Sequence, residues 1–182
     1  GRFRSMLFEY ADGFVRRGLS ALPPYVDKAR PTSTLEALAP LRAMDTSFFA
    51  QSRVLTRHLR TFPRTLAEGV TDRMAWTLED VGIRPTIRLL HTALIQPPDA
   101  PSVDALIAIQ QLYASHYLLA STTYLSLVVD TSVAGEPARY LVLLSRYRFD
   151  DEVTGVRRTA LTLRSVENQE DRLLMLQQRL RP

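Results

Sequence analysis

The sequence contains no cysteine among its 182 residues. Disulfide bonds, thiolate zinc sites, iron–sulfur clusters and cysteine nucleophiles are therefore excluded. Long apolar runs are also missing, since blocks such as LSLVV at residues 125–129 are far shorter than the roughly 20 residues that a membrane-spanning helix needs. The sequence thus predicts no transmembrane segment and no thiol chemistry.

Lysine is almost absent, because Lys28 is the only lysine among 23 basic residues. The net charge of +4 suggests a nucleic-acid partner at first sight, but the arginines are spread along the chain and form no basic tract. We interpret them as a solvated surface and predict no nucleic-acid partner. With 46% apolar and 23% charged residues, the chain is typical of a folded globular protein, predicted as a single domain over residues 1–182.

The first half of the chain, residues 1–82, is predicted to be helical. Apolar residues recur at intervals of three and four in FEYADGFVRRGLSAL (8–22) and SFFAQSRVLTRHLRTF (47–62). TSTLEALAPLRAM (32–44) begins with a cap at Thr32 or Ser33 and is expected to be interrupted or kinked at Pro40. VTDRMAWTLEDVG (70–82) is interpreted as a short helix that Gly82 ends.

Residues 83–150 are predicted to form an antiparallel sheet. RPTIRLLHTALIQ (84–96) partly alternates, and YLSLVVD (124–130) with RYLVLLSRYRF (139–149) is typical of a β-hairpin. The run 105–129 contains no Gly, Pro, Asn or Asp, and its Ala, Leu and Gln content favours helix, whereas its partial alternation and TTYLSLVV favour strand. We favour two strands that meet near residues 115–121, because single strands rarely exceed about 10 residues.

The predicted fold class is α+β: a helical N-terminal half, an antiparallel sheet of about four strands, and a long C-terminal helix over 155–181 packed on that sheet. This helix is predicted from the spacing of Leu163, Val166, Leu173, Leu176 and Leu180. The order of elements is reminiscent of START-like helix-grip ligand carriers, a similarity of fold alone.

The stretch LYASHYLLAST (112–122) is the predicted site. In a strand, Tyr113, Ser115 and Tyr117 share one face, where they can line a ligand pocket, and His116 points to the other face, so it cannot activate Ser115. We therefore predict no catalytic residue and interpret His116 as a buried structural donor. His91 is a second candidate, which can face His116 across neighbouring strands.

No metal or cofactor is predicted. His58, His91 and His116 lack the local spacing of metal-ligand pairs, so a metal site would need His91, His116 and a carboxylate brought together by the fold. Glycine-rich nucleotide motifs and the G-x-S-x-G elbow are absent from the sequence. Trp76 and the pair Phe48–Phe49 are expected to anchor the helices on the sheet.

Several blocks together resemble a family of uncharacterised bacterial proteins. They are the segment LRTFPRTLAEGVTDRMAWTLEDVGIRPTIRLLHTALI, the YASHY block within QLYASHYLLASTTYLSLVV, and the segment RYLVLLSRYRFD. The chain departs from the family at Leu118–Leu119, where the family has an aromatic–acid pair, and at Ser145–Tyr147, where it has NRS. The resemblance implies no activity, and it implies an extracytoplasmic location because members resemble exported proteins. It carries over to Trp76, Pro85, His91, Tyr113, Ser115, His116, Tyr117, Ser121, Tyr140 and Arg146.

Three functions are compatible with this sequence. The first is a non-catalytic module that binds a small apolar or amphipathic molecule between sheet and helices, with Tyr113, Ser115, Tyr117, His116 and His91 around it. The second is a structural or assembly subunit that pairs with another copy or with a protein partner through the C-terminal helix. The third is a hydrolase-like enzyme with His116 or His91 as its base.

Overall fold

The computed structural model describes residues 2–25, 31–80, 85–132, 137–150 and 155–180. The chain divides into two compact units, residues 1–150 and residues 151–182. Among the described residues, the first unit contains four α-helices, a short 3-10 helix (Leu19–Ala21) and a sheet, and the second contains one helix.

Four helices precede the sheet: α1 (Arg2–Arg17), α2 (Thr34–Ala43), α3 (Thr46–Phe49) and α4 (Arg53–Thr61). This region is helical as predicted, but α1 ends at Arg17 instead of Leu22, and the segment 47–62 that we predicted as one helix contains two, α3 and α4. Ser33 caps α2 by accepting a hydrogen bond from Glu36 N, and Ser52 caps α4 by accepting one from Leu55 N at 3.2 Å. Pro40 lies inside α2, which continues to Ala43, so the expected interruption does not occur.

The sheet has five antiparallel strands in the order β1-β2-β3-β4-β5. They are β1 (Thr71–Asp80), β2 (Pro85–Ile95), β3 (Val103–Ala114), β4 (Leu118–Asp130) and β5 (Ala138–Phe149). Each strand pairs with the next along the chain, so the sheet is a meander whose edges are β1 and β5. The prediction of two strands within 105–129 is confirmed.

The predicted fold class is wrong in its details: the sheet has five strands instead of four. The additional strand is β1, which we predicted as a short helix over 70–82. The Met, Ala, Leu and Glu of this segment favour helix, but ten residues of β1 pair with β2, and this pairing overrides local propensity. The prediction of a C-terminal helix packed on the sheet is wrong as well. The C-terminal helix α5 (Gly155–Leu180) belongs to a compact unit of its own.

One face of the sheet carries the four N-terminal helices. Leu55 and Leu59 of α4 pack with Ala93 and Leu106 of the sheet, while α1 packs on Leu89, Leu112 and Tyr113. α2 completes the layer by packing Ala37, Leu38 and Leu41 against Ala120. Core burial therefore explains why apolar residues recur at helical spacing in the first sixty residues.

The second unit contains α5, which spans 26 residues. Within the described parts of the chain, no helix is both long and apolar enough to cross a membrane.

Candidate functional site

The YASHY block forms the turn between β3 and β4. β3 ends at Ala114, and a hydrogen bond of 2.7 Å from Leu118 N to His116 O closes the turn. Tyr117 has a φ of 60°, a left-handed conformation that a residue with a side chain seldom adopts, and its carbonyl accepts a hydrogen bond from Asp150 N. The predicted alternation across 113–117 is wrong, because the strand ends before Ser115.

The predicted site residues are separated by this turn. His116 is exposed, so its interpretation as a buried donor is wrong, and its ring lies 5.9 Å from that of Tyr117. Ser115 Oγ accepts a hydrogen bond of 3.0 Å from Ile87 N and serves to join the turn to β2. Tyr113 is buried instead of lining an open pocket. The sequence therefore predicted correctly that these residues lie where two strands meet, but the strand faces to which it assigned their side chains are wrong.

Tyr113 lies at the centre of an aromatic cluster. Its ring centroid is 5.3 Å from that of Tyr10, 5.9 Å from that of Tyr25 and 6.3 Å from that of Phe3. Edge-to-face contacts of this kind stabilise a core beyond the area that they bury. Tyr113 thus positions the start of α1 on the sheet.

An apolar groove lies beside this cluster, between α1 and the outer strands β1 and β2. Its volume is about 580 Å³. Phe3, Leu7 and Phe8 form the helical wall, and Trp76 and Leu78 form the wall on β1. Trp76 is 45% exposed and Leu78 70% exposed, so the prediction that Trp76 anchors the helices in the core is wrong.

The groove has one cation among the described residues that line it, Arg4. The Arg4 guanidinium lies 5.6 Å from the centroid of the Phe8 ring, as in a cation–π contact. Ile87 also lines the groove, so the Ser115 hydrogen bond fixes the backbone directly behind one wall. Two of the predicted residues, Tyr113 and Ser115, therefore support the groove from behind without lining it.

A second polar arrangement surrounds His91, which is buried on the helix-covered face of β2. Asp72 Oδ1 lies 2.7 Å from His91 Nε2 and 2.9 Å from His58 Nε2. His91 Nδ1 lies 2.8 Å from Gln110 Nε2, and Arg42 donates a short hydrogen bond to Gln110 Oε1. We call Arg42, Gln110, His91, Asp72 and His58 the histidine network.

The donors of the histidine network can be assigned from its ends. Arg42 can only donate, so the oxygen of Gln110 faces Arg42 and its NH₂ group donates to His91 Nδ1. The backbone N–H of Ala67 donates to His58 Nδ1 at 3.3 Å. Both imidazoles therefore carry their single hydrogen on Nε2 and donate it to Asp72.

Aromatic rings shield the network from solvent. The Phe62 ring stacks on the His91 ring with their centroids 5.1 Å apart. The centroid of the Phe14 ring lies 4.7 Å from that of His91. His58 and His91 are each about 1% exposed, whereas Asp72 is partly accessible. Burial alone raises the pKa of Asp72, but hydrogen bonds from His91 and His58 outweigh it and hold the pKa below its ordinary value of 3.8.

The chemistry available to the histidine network is limited. Both nitrogens of each ring are already in hydrogen bonds, so neither imidazole has a lone pair free to act as a base toward a substrate. Among the residues that the structure describes, no three His, Cys, Asp or Glu side chains are placed to hold a metal ion. The network is a satisfied polar core that fixes β1, β2, β3 and α4 relative to one another.

Sequence reasoning identified only His91 of this network. Asp72 falls in the segment that we predicted as a short helix, and His58 was named only as a histidine without the spacing of a metal-ligand pair. Alternation of Asp72, Met74, Trp76 and Leu78 was the available signal, because it places the carboxylate on the same face as the apolar side chains of β1.

Comparisons with known proteins give no relative for this chain. No family model, no curated protein and no solved structure matches it. The resemblance to the uncharacterised bacterial family and the fold similarity to START-like carriers remain predictions.

Proposed function

We propose that residues 1–150 form a non-catalytic module that binds a small amphipathic molecule in the groove between α1 and β1. The observation that carries the proposal is the exposure of large apolar side chains on both walls of one concave surface, namely Phe3 and Phe8 on α1 and Trp76 and Leu78 on β1. Contiguous apolar patches of this kind on a folded protein are typical of interaction or ligand sites.

The expected ligand has an apolar chain and an anionic head. The apolar walls favour burial of a hydrocarbon chain, which contributes roughly 0.8 kcal/mol for each buried CH₂ group. Arg4 supplies the positive charge at the helical wall, where it already contacts the Phe8 ring. A medium-chain carboxylate combines these two features and has a size compatible with a groove of about 580 Å³.

Native mass spectrometry of the protein with decanoate tests this proposal. We expect a complex of one decanoate per chain, weakened about tenfold by Leu78→Ser, since covering an exposed leucine side chain with the ligand contributes roughly 1.5 kcal/mol of binding. Leu66→Ser is the matched control, because Leu66 is also 70% exposed and lies outside the groove. Decanol should bind equally to the wild type and to Arg4→Gln, whereas decanoate should bind the variant less tightly.

The proposal is wrong if decanoate does not bind, or if Leu66→Ser weakens binding as much as Leu78→Ser does. An equal loss in both variants would mean that the ligand associates with exposed apolar surface in general. The version of the enzyme alternative that uses His91 as the base is not favoured, because His91 has both nitrogens in hydrogen bonds.

A second candidate function, assembly through α5, has one observation in its favour. Leu163, Val166 and Leu174 are exposed and fall on one side of the helix, since 3.6 residues make a turn. Such an apolar stripe suits pairing with a second copy of the chain. Light scattering should then give a dimer that Val166→Gln converts to a monomer; a wild-type monomer at all concentrations excludes this function.

A further inference from the structure

Four arginines that are far apart in the sequence line one cleft. Arg17 lies at the end of α1, Arg42 in the last turn of α2, Arg60 in the last turn of α4, and Arg64 just beyond it. The cleft has a volume of about 260 Å³, and no Asp or Glu is among the described residues that line it. Three helix ends therefore bring together positive charge that the sequence disperses over 48 positions.

Helix capping does not account for these arginines. Cations near a helix C-terminus often bond the last free carbonyl groups. Only Arg42 does so, through a bond of 3.5 Å from its Nη2 to Leu59 O. Within the described chain, the side chains of Arg17, Arg60 and Arg64 form no hydrogen bond or ion pair, so their guanidinium groups are available to a ligand.

Arg42 lies partly buried in the cleft without a carboxylate beside it. Its side chain donates to two neutral acceptors, Gln110 Oε1 and Leu59 O. Burial lowers the pKa of Arg42, the Tyr124 hydroxyl opposes this, and the charge of Arg60 lowers it further. A desolvated cation beside another cation is stabilised by an anion that contacts both.

The remaining lining suits a compact, strongly charged ligand. Phe14 and Phe62 lie in the wall of the cleft, and Ser20 and Thr61 contribute hydroxyl groups. The volume of about 260 Å³ admits a molecule of roughly ten non-hydrogen atoms and lies just below the usual range for ligand sites. Guanidinium groups recognise phosphate and carboxylate oxygens in pairs, which single-charge halide ions do not satisfy.

We propose that this cleft binds a small free polyanion, a molecule with two or more phosphate or carboxylate groups held by Arg17, Arg42, Arg60 and Arg64. This cleft is separate from the apolar groove, because the two share no lining residue among those that the structure describes. It is therefore independent of the proposed binding of an amphipathic molecule.

The histidine network gives the cleft a built-in reporter. Arg42 contacts the ligand cleft on one side and Gln110 on the other, and Gln110 contacts His91. An anion on Arg42 changes the strength of these linked hydrogen bonds, so the ring signals of His91 should shift on binding. His116 is exposed on the β3–β4 turn outside the cleft and serves as the internal control.

The experiment is a titration of the full chain with inorganic pyrophosphate and with tricarballylate at constant ionic strength, followed by calorimetry and by histidine ring NMR. We expect saturable binding of at least one probe, with a shift of His91 and none of His116. Arg17→Gln and Arg60→Gln should each weaken binding roughly tenfold, the factor that corresponds to one charge-assisted hydrogen bond.

Arg57→Gln is the matched control, because Arg57 is an exposed arginine of α4 that lies outside this cleft. It should change the affinity less than twofold, and it removes the same charge as Arg60→Gln. Both replacements are on exposed side chains, so folding is expected to survive, as circular dichroism would verify. The proposal is overturned if neither probe binds, or if Arg57→Gln weakens binding as much as Arg60→Gln.

Discussion

Asp72 holds two buried histidines through one carboxylate oxygen, and this links its charge to the stability of the folded state. His58 and His91 both donate to Asp72 Oδ1, and Phe62 covers the rings. Hydrogen bonds to a charged group contribute about 1.5–3 kcal/mol each when the partner would otherwise be left unsatisfied. The stability of the layer beneath α4 therefore depends on the charge of Asp72.

The pKa of Asp72 is lowered in the folded state, so its contribution to stability is present above the ordinary value of 3.8 and is lost as the pH falls below it. We predict that the free energy of unfolding of the wild type decreases more steeply between pH 5 and pH 2.5 than that of Asp72→Asn. Urea titrations at several pH values measure this difference. Parallel curves for the two proteins would show that Asp72 has the same pKa in both states.

Arginines show the limit of sequence reasoning at this scale. Arg17, Arg42, Arg60 and Arg64 are spread through the first third of the chain, and a scattered pattern is usually a solvated surface. Their convergence depends on how α1, α2 and α4 end beside one another, and only tertiary structure specifies that. The prediction of a solvated surface remains reasonable for arginines such as Arg57, which is exposed on α4.

At the scale of elements, the end of α1 is defined by Gly18. Its φ of 81° requires a left-handed backbone, and a Cβ added there would lie 2.6 Å from Phe62 O. Gly69 has a similar φ of 77° but has nothing within 4 Å of the same position. A side chain at Gly18 would therefore meet both backbone strain and a steric contact, whereas at Gly69 it would meet backbone strain alone.

We predict that Gly69→Ala lowers the free energy of unfolding by about 1 kcal/mol, the usual cost of a left-handed conformation. Gly18→Ala should cost more, roughly 2–4 kcal/mol, because the Phe62 backbone must also move. Chemical denaturation of both variants measures the difference. Equal losses of unfolding free energy in the two variants would contradict this prediction, because they would mean that the contact with Phe62 O adds nothing to the cost.

Elements with a strong periodicity of apolar residues were predicted from the sequence. An element whose structure depends on pairing with a neighbouring strand was not. Helices α1, α2 and α4 have apolar residues at helical spacing, and α2 and α4 also have serine N-caps, so local signals agree with the tertiary structure. β1 has helix-favouring composition, and only its pairing with β2 makes it a strand. The turn at 115–117 was anticipated in position, but Tyr117 carries a left-handed conformation that no composition rule assigns to tyrosine.

At the scale of the molecule, the helical layer covers the middle of the sheet and leaves the β1 side open beside α1. Trp76 and Leu78 continue the apolar face of β1 beyond the histidine network, where Phe3 and Phe8 form the opposite wall. The groove is thus an extension of the core layer that no described residue fills. The YASHY block contributes to it indirectly, since Tyr113 supports Phe3 and Ser115 fixes Ile87.

Trp76 makes the central claim directly measurable, because it is the only tryptophan of the chain and lies in the groove. The decisive measurement is a titration of Trp76 fluorescence with decanoate below its micelle concentration. Binding in the groove removes water from the indole, so we predict a shift of the emission to shorter wavelength that saturates at one ligand per chain and weakens in Leu78→Ser. An emission spectrum that decanoate leaves unchanged, or an identical titration in Leu78→Ser, would contradict the account.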